Sequence, residues 1–279
     1  MRFLDTEEIT RAVRDLCLDI NINLADEIAD ALDASVSRED SPPGKEILQQ
    51  LQENARIARE KGIPFCQDTG ITIVHVRLGC EVKLKGDLYD AINKGVAAGY
   101  TDGYLRKSVV SDPLRRVNTG DNTPAMIHLE LVEGDRVSLR VMAKGAGAEN
   151  MSRMKMLTPA EGIDGVKSFI IETVELAGAN ACPPVILGIG IGGTFDEVGW
   201  LAKKALMRPL GSRNPDPLYA DLEREVLTEV NNLGIGPMGL GGRVTALDAR
   251  IEFAPCHISS LPVAVNIDCP AHRVKEVVI

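Results

Sequence analysis

The run Val185-Ile186-Leu187-Gly188-Ile189-Gly190-Ile191 constrains the fold more than any other stretch. It is the longest apolar run in the chain, with Pro183-Pro184 before it and Gly192-Gly193-Thr194 after it. Such a run is too short to cross a bilayer and has the length of a strand buried in a sheet. A helical pattern follows over 195–206, so the stretch reads as strand, glycine loop, helix. Helical periodicity recurs over 6–37, 45–61, 88–100, 158–177 and 218–233. Strand patterns occupy 71–78, 80–84, 127–132, 137–142, 246–253 and 261–267. The expectation is a mixed α/β chain, mainly helical over 1–62 and alternating short strands and helices beyond, in a single compact domain of 279 residues. Two hairpins are expected, one turned at Gly79 and one at Gly134-Asp135. The pattern does not give strand order.

Composition narrows the function classes. A net charge of −9 argues against nucleic acid or an anionic membrane as the main partner. It leaves room for an anionic small molecule, because a few Arg and Lys can reverse the field inside a cleft. Met1-Arg2-Phe3-Leu4-Asp5-Thr6-Glu7-Glu8 is acidic and lacks the apolar region of a signal peptide. The expected location is therefore cytoplasmic. There the six cysteines would be reduced, and read as metal-binding, catalytic or buried.

Polar chemistry concentrates at a few loops. Cys66-Gln67-Asp68-Thr69-Gly70 sets a thiol, an amide, a carboxylate and a hydroxyl side by side between a helix and a strand. Lys144-Gly145-Ala146-Gly147 is small and carries a lysine, and Gly234 to Gly242 is a second glycine loop whose N–H groups could face an anion. Cys182 and Cys269 each precede a proline, a familiar step at iron–sulfur ligands. There is no Cys-x-x-Cys pair, so a zinc knuckle is disfavoured. By spacing alone, scattered buried thiols are the simpler reading, and Cys17 on an apolar helical stripe fits it. Gly188-x-Gly190-x-x-Gly193 formally matches a dinucleotide fingerprint. Its glycines begin inside the strand, however, and no acidic strand end follows about 20 residues on.

Taken together these blocks resemble the class I, iron–sulfur fumarate hydratases and the related L-tartrate dehydratases. The similarity runs from Cys66-Gln67-Asp68-Thr69-Gly70 through Tyr104-Leu105-Arg106, Asn118-Thr119-Gly120, Lys144-Gly145-Ala146-Gly147, Ala181-Cys182-Pro183-Pro184 and Gly192-Gly193-Thr194. It closes with Asn232-Leu233-Gly234, His257 and Cys269-x-Ala271-x-Arg273. The resemblance implies that Cys66, Cys182 and Cys269 hold a 4Fe-4S cluster whose fourth iron binds the substrate. It implies Gln67, Arg106 and Gly147 as contacts to a dicarboxylate, and Asp68 and His257 as catalytic. Arg106 has the planar fork that a carboxylate takes. Asp68 is of the type that passes a proton to or from a departing hydroxyl.

The resemblance further implies an α subunit. In two-subunit members a β subunit carries the remaining substrate contacts and the proton-abstracting residue, so a hetero-oligomer, α2β2 by analogy, is expected. Fumarate/L-malate is the leading substrate expectation and L-tartrate the alternative. A different class, an iron–sulfur protein for sensing or electron transfer, would be favoured by a fourth cysteine ligand such as Cys256.

Overall fold

The computed structural model describes residues 1–279. In chain order the elements are β1 (Arg2–Asp5), α1 (Thr6–Ile22), α2 (Asp26–Arg38), α3 (Pro42–Lys61), β2 (Ile71–Gly79), β3 (Val82–Lys85) and α4 (Leu88–Asp102). Then come β4 (Met126–Val132), β5 (Val137–Lys144), the short α5 (Ala146–Glu149), β6 (Arg153–Leu157), α6 (Gly162–Ala177) and β7 (Val185–Gly192). The series closes with α7 (Glu197–Leu206), α8 (Pro217–Asn231), β8 (Ala246–Ala254), β9 (Leu261–Asp268) and β10 (Val274–Val278). The class is mixed α/β, as the periodicities predict. No helix is long and apolar enough to cross a membrane. The chain divides into two compact units. One comprises 1–25, 54–146 and 273–279, the other 26–53 and 147–272.

In the first unit the sheet order is β10-β5-β2-β4. β2 runs parallel to β4 and antiparallel to β5, and β10 runs antiparallel to β5. Neither predicted hairpin forms. β2 is buried through most of its length, so it takes a central place and accepts a neighbour on each side. The turn after β4 therefore spans the end of β2. The amides of Gly79, Cys80 and Glu81 donate to the carbonyls of Arg136, Val132 and Gly134. The segment after Gly79 leaves this sheet, and β3 pairs in parallel with β1, a strand the periodicity did not show. Ile9, Val13 and Leu16 of α1 and Ile92, Val96 and Tyr100 of α4 pack on Val74, Val76, Leu139 and Val141. Asp5 caps α1, its side chain accepting from the Glu7 amide. Cys17 lies in this core, and burial pushes its thiol up to about 12, so it stays protonated.

In the second unit the sheet order is β6-β9-β7-β8, with β7 parallel to β8 and antiparallel to β9. β7 is buried at every residue, as its composition predicts. One face packs against Phe169, Ile170 and Val174 of α6 and Leu222, Val226 and Val230 of α8. The other face meets α7, and here the two glycines of the formal fingerprint find their reason. A Cβ at Gly188 would lie 2.2 Å from the Ala202 carbonyl oxygen, and one at Gly190 2.2 Å from that of Val198. They bring a helix onto a strand.

Between α2 and α3, Glu39 is fully buried. Its Oε1 accepts from the amides of Asp40 and Ser41, and its Oε2 from those of Arg243 and Val244 at 2.9 Å. Burial opposes ionisation, but these amide donors outweigh it and hold the carboxyl below the usual range. A depressed folded pKa contributes stability above the unfolded value and loses it as pH falls. Glu39→Gln should lower the unfolding free energy at neutral pH by about 1–3 kcal/mol. The gap from the parent should close as pH drops below about 4, read by urea denaturation across pH.

Candidate functional site

The Cys66–Gly70 loop lies between α3 and β2, in the first unit. Pro64 follows the end of α3, and Gly70 takes φ +76, where a Cβ would lie 2.8 Å from the Lys144 backbone. Asp68 is half-buried and held at three atoms. Its Oδ1 accepts from the Gly70 amide at 3.0 Å and its Oδ2 from the Ala146 amide at 2.8 Å. Its carbonyl accepts from Arg273 Nη1 at 2.7 Å. Arg273 is buried, and the same Nη1 donates to Asn21 Oδ1 at 3.1 Å. A Cβ at Gly145 would come 3.3 Å from Asp68 Oδ2 and 3.4 Å from Arg273 Nη2, so this corner has little spare room.

The next two carbonyls are held from α4. The Tyr100 hydroxyl, fully buried, is shared between the oxygens of Thr69 at 2.7 Å and Gly70 at 3.1 Å. Burial pushes the phenol above its ordinary pKa and keeps it a donor. Thr69 Oγ1 donates to the Arg106 carbonyl at 2.9 Å. The Arg106 and Gln67 side chains are exposed, and Cys66 is half-buried. The first unit thus gathers a thiol, a carboxylate, an amide and a guanidinium on two adjoining loops, with the supporting atoms buried and the chemical groups accessible.

In the second unit, Cys182 and Cys269 leave neighbouring antiparallel strands at one end. Ile186 of β7 pairs with Asp268 of β9, Cys182 precedes β7, and Cys269 follows β9 directly. Cys182 is exposed, with φ +54 in the left-handed region. A non-glycine residue is uncommon in that region and points to a local requirement. Gly147, exposed on α5, lies beside the turn that leads to Cys182. A Cβ on it would be 3.8 Å from the Asn180 carbonyl oxygen. His257 stands elsewhere. It lies in the loop between β8 and β9, at the end of the sheet where Gly192 pairs with Ala254. The length of β7, roughly 25 Å at about 3.3 Å per residue, separates that end from Cys182 and Cys269. His257 is exposed, its Nδ1 accepts from the Ser259 amide at 3.1 Å, and within this unit it is not brought to the two cysteines. Cys256 shares this loop and is exposed.

None of the six cysteines is in a disulfide. No group of three or more His, Cys, Asp or Glu side chains converges closely enough to hold a single metal ion. The thiolates of a cubane each bind a different iron, so a cluster does not require that convergence. Cys66, Cys182 and Cys269 fit as soft donors with at least partial exposure, whereas Cys17 is sealed in the core.

A loop bearing Cys, Gln and Asp beside an arginine loop, in one chain with two thiols at the mouth of a second sheet, defines a class. The chain belongs to the fumarate hydratase (Fumerase) family, whose model matches residues 10–278. Hydro-lyase chemistry is the activity of that family. It is 43% identical to a Methanocaldococcus jannaschii protein provisionally named L(+)-tartrate dehydratase subunit alpha, over 95% of each chain. It is 34% identical to the L(+)-tartrate dehydratase subunit alpha of Escherichia coli K12, over 95% of this chain and 89% of that one. The protein of that name from Shigella sonnei matches to the same extent.

The residues that hold the Asp68 loop were not singled out from sequence. Tyr100 reads there as one more apolar position on a helix face, and Asn122 as one polar residue in a polar turn. Arg273 was visible only through the resemblance. Tyr100→Phe removes one oxygen from the core, takes the hydroxyl donor from the Thr69 carbonyl and leaves the Gly70 carbonyl to Asn122 alone. It should lower stability by about 1–3 kcal/mol, measured by urea denaturation, and speed hydrogen exchange through 66–71.

Proposed function

We propose that this chain is the cluster-bearing α subunit of an L(+)-tartrate dehydratase, acting with a β subunit on a four-carbon hydroxydicarboxylate. The observation that carries the choice is the shared name of the relatives that match along nearly the whole chain. This reverses the order of the sequence reading, which set fumarate/L-malate first. Fumarate hydration stays as the second reading, favoured by the description of the family model.

In this proposal Cys66, Cys182 and Cys269 ligate a 4Fe-4S cluster. The bound cluster would supply a Lewis acid for a substrate oxygen. Arg106 takes a substrate carboxylate with its fork. Gln67 and the Gly147 backbone offer further donors to the dianion. Asp68, fixed by two amides, delivers a proton to the leaving hydroxyl, which departs as water. The proton on the neighbouring carbon goes to a base on the β subunit, and its electron pair becomes the new double bond. From tartrate this product is an enol, which tautomerises to a 2-oxo dicarboxylate; from malate it is fumarate. His257 takes no step in this scheme.

The test is anaerobic reconstitution of the α and β chains with iron and sulfide. L-tartrate should give a 2-oxo acid with kcat/KM at least about tenfold above that for L-malate, a difference of about 1.4 kcal/mol in transition-state binding. The opposite order would install the fumarate reading, and no turnover of either would remove both. Asp68→Asn should lower kcat by about 10²–10⁴-fold with the visible absorption of the cluster retained. Serine at 66, 182 or 269 should abolish that absorption, and serine at 80 or 256 should leave it.

A further inference from the structure

We propose that Asn122 is a positioning residue for substrate binding, fastening the Arg106 loop to the Asp68 loop. The proposal deepens the reading given under Proposed function and rests on it.

Asn122 has no exposed surface and takes φ +67, a left-handed conformation that asparagine tolerates better than most residues. That backbone turns the amide inward, where both of its ends are used. Oδ1 accepts from the amides of Ser108 at 2.7 Å and Val109 at 3.3 Å, immediately after Arg106. Nδ2 donates to the Gly70 carbonyl at 3.2 Å, immediately after Asp68-Thr69. One planar group thus spans the two loops. Thr69 makes the second strut through its hydroxyl on the Arg106 carbonyl. Beyond Arg106 the chain closes a loop of its own. Thr119 donates to the Val109 carbonyl at 3.0 Å, Ser111 to that of Val117 at 2.8 Å, and Asn118 Nδ2 to that of Lys107 at 2.9 Å. Asn122 stands at the base of this internally bonded loop.

The chemistry gives the strut a purpose. The Arg106 side chain is exposed, so its own contacts do not fix where its fork points. Its direction is inherited from the backbone, and the backbone is set by Asn122 and Thr69. Asp68 is set from the other side of the same residue: its Oδ1 accepts from the Gly70 amide, and Asn122 donates to the Gly70 carbonyl. A hydroxydicarboxylate gripped by Arg106 would then meet the Asp68 carboxyl at a fixed offset. A small slip between the two would weaken binding before it altered the chemical step.

Two variants separate positioning from general support. Asn122→Gly keeps the left-handed backbone and deletes the amide. Asn122→Asp keeps the acceptor for Ser108 and Val109 and loses the donor to Gly70. In the reconstituted α–β enzyme each should raise KM for L-tartrate about tenfold while kcat changes less than about threefold. In an Arg106→Lys background, which has already lost the fork, neither should raise KM further by more than about twofold. KM effects of equal size in both backgrounds, or a loss confined to kcat, would overturn the proposal. The second readout is hydrogen exchange on the full α chain without substrate. Asn122→Gly should release the Ser108 and Val109 amides while the strands of the unit keep their protection. Amides still protected there would overturn the proposal even in an active enzyme. If the parent complex turns over no dicarboxylate, the functional reading fails, and the exchange experiment decides the fastening on its own.

Discussion

Three consecutive backbone carbonyls govern the first unit. Those of Asp68, Thr69 and Gly70 lie in an irregular, largely buried loop where no strand or helix supplies donors, and buried peptide groups left unpaired cost more than a hydrogen bond returns. Side chains from far along the sequence supply the donors. Arg273 serves the first, Tyr100 the second, and Tyr100 with Asn122 the third. The loop is therefore rigid for a reason that lies outside it. Under the proposed function this is what Asp68 requires, because a displacement of an ångström is enough to impair proton transfer.

The second unit meets a similar demand by other means. Its two candidate cysteines lie at the same end of the sheet because β7 and β9 run in opposite directions, so the start of one strand adjoins the end of the other. Cys182 also holds a left-handed backbone there.

The sequence showed elements more readily than their partners. Helices such as α1, α4 and α6 announce themselves by periodicity and caps, because both signals are local. Strand pairing is not local. Gly134-Asp135 is good turn chemistry, yet β4 and β5 end on either side of β2, a largely buried strand that pairs with both of them whatever the turn prefers. The chemical residues of the Cys66 loop stood out because polar groups cluster there. Tyr100 and Asn122 did not, since a buried hydrogen-bond donor looks in sequence like any core tyrosine or turn asparagine. His257 lies in the loop after β8, whose parallel pairing with β7 places it at the end of that sheet away from Cys182 and Cys269, a position its motif did not reveal.

The two units are interleaved along the chain, and the segment bearing Arg273 and β10 returns to the first unit after the whole of 147–272 has intervened. During synthesis that segment leaves the ribosome later than every other part of its unit. Until it arrives, β5 has an open edge and the Asp68 carbonyl lacks its guanidinium. A nascent chain would hold the Cys66–Gly70 loop without that tie through the whole interval.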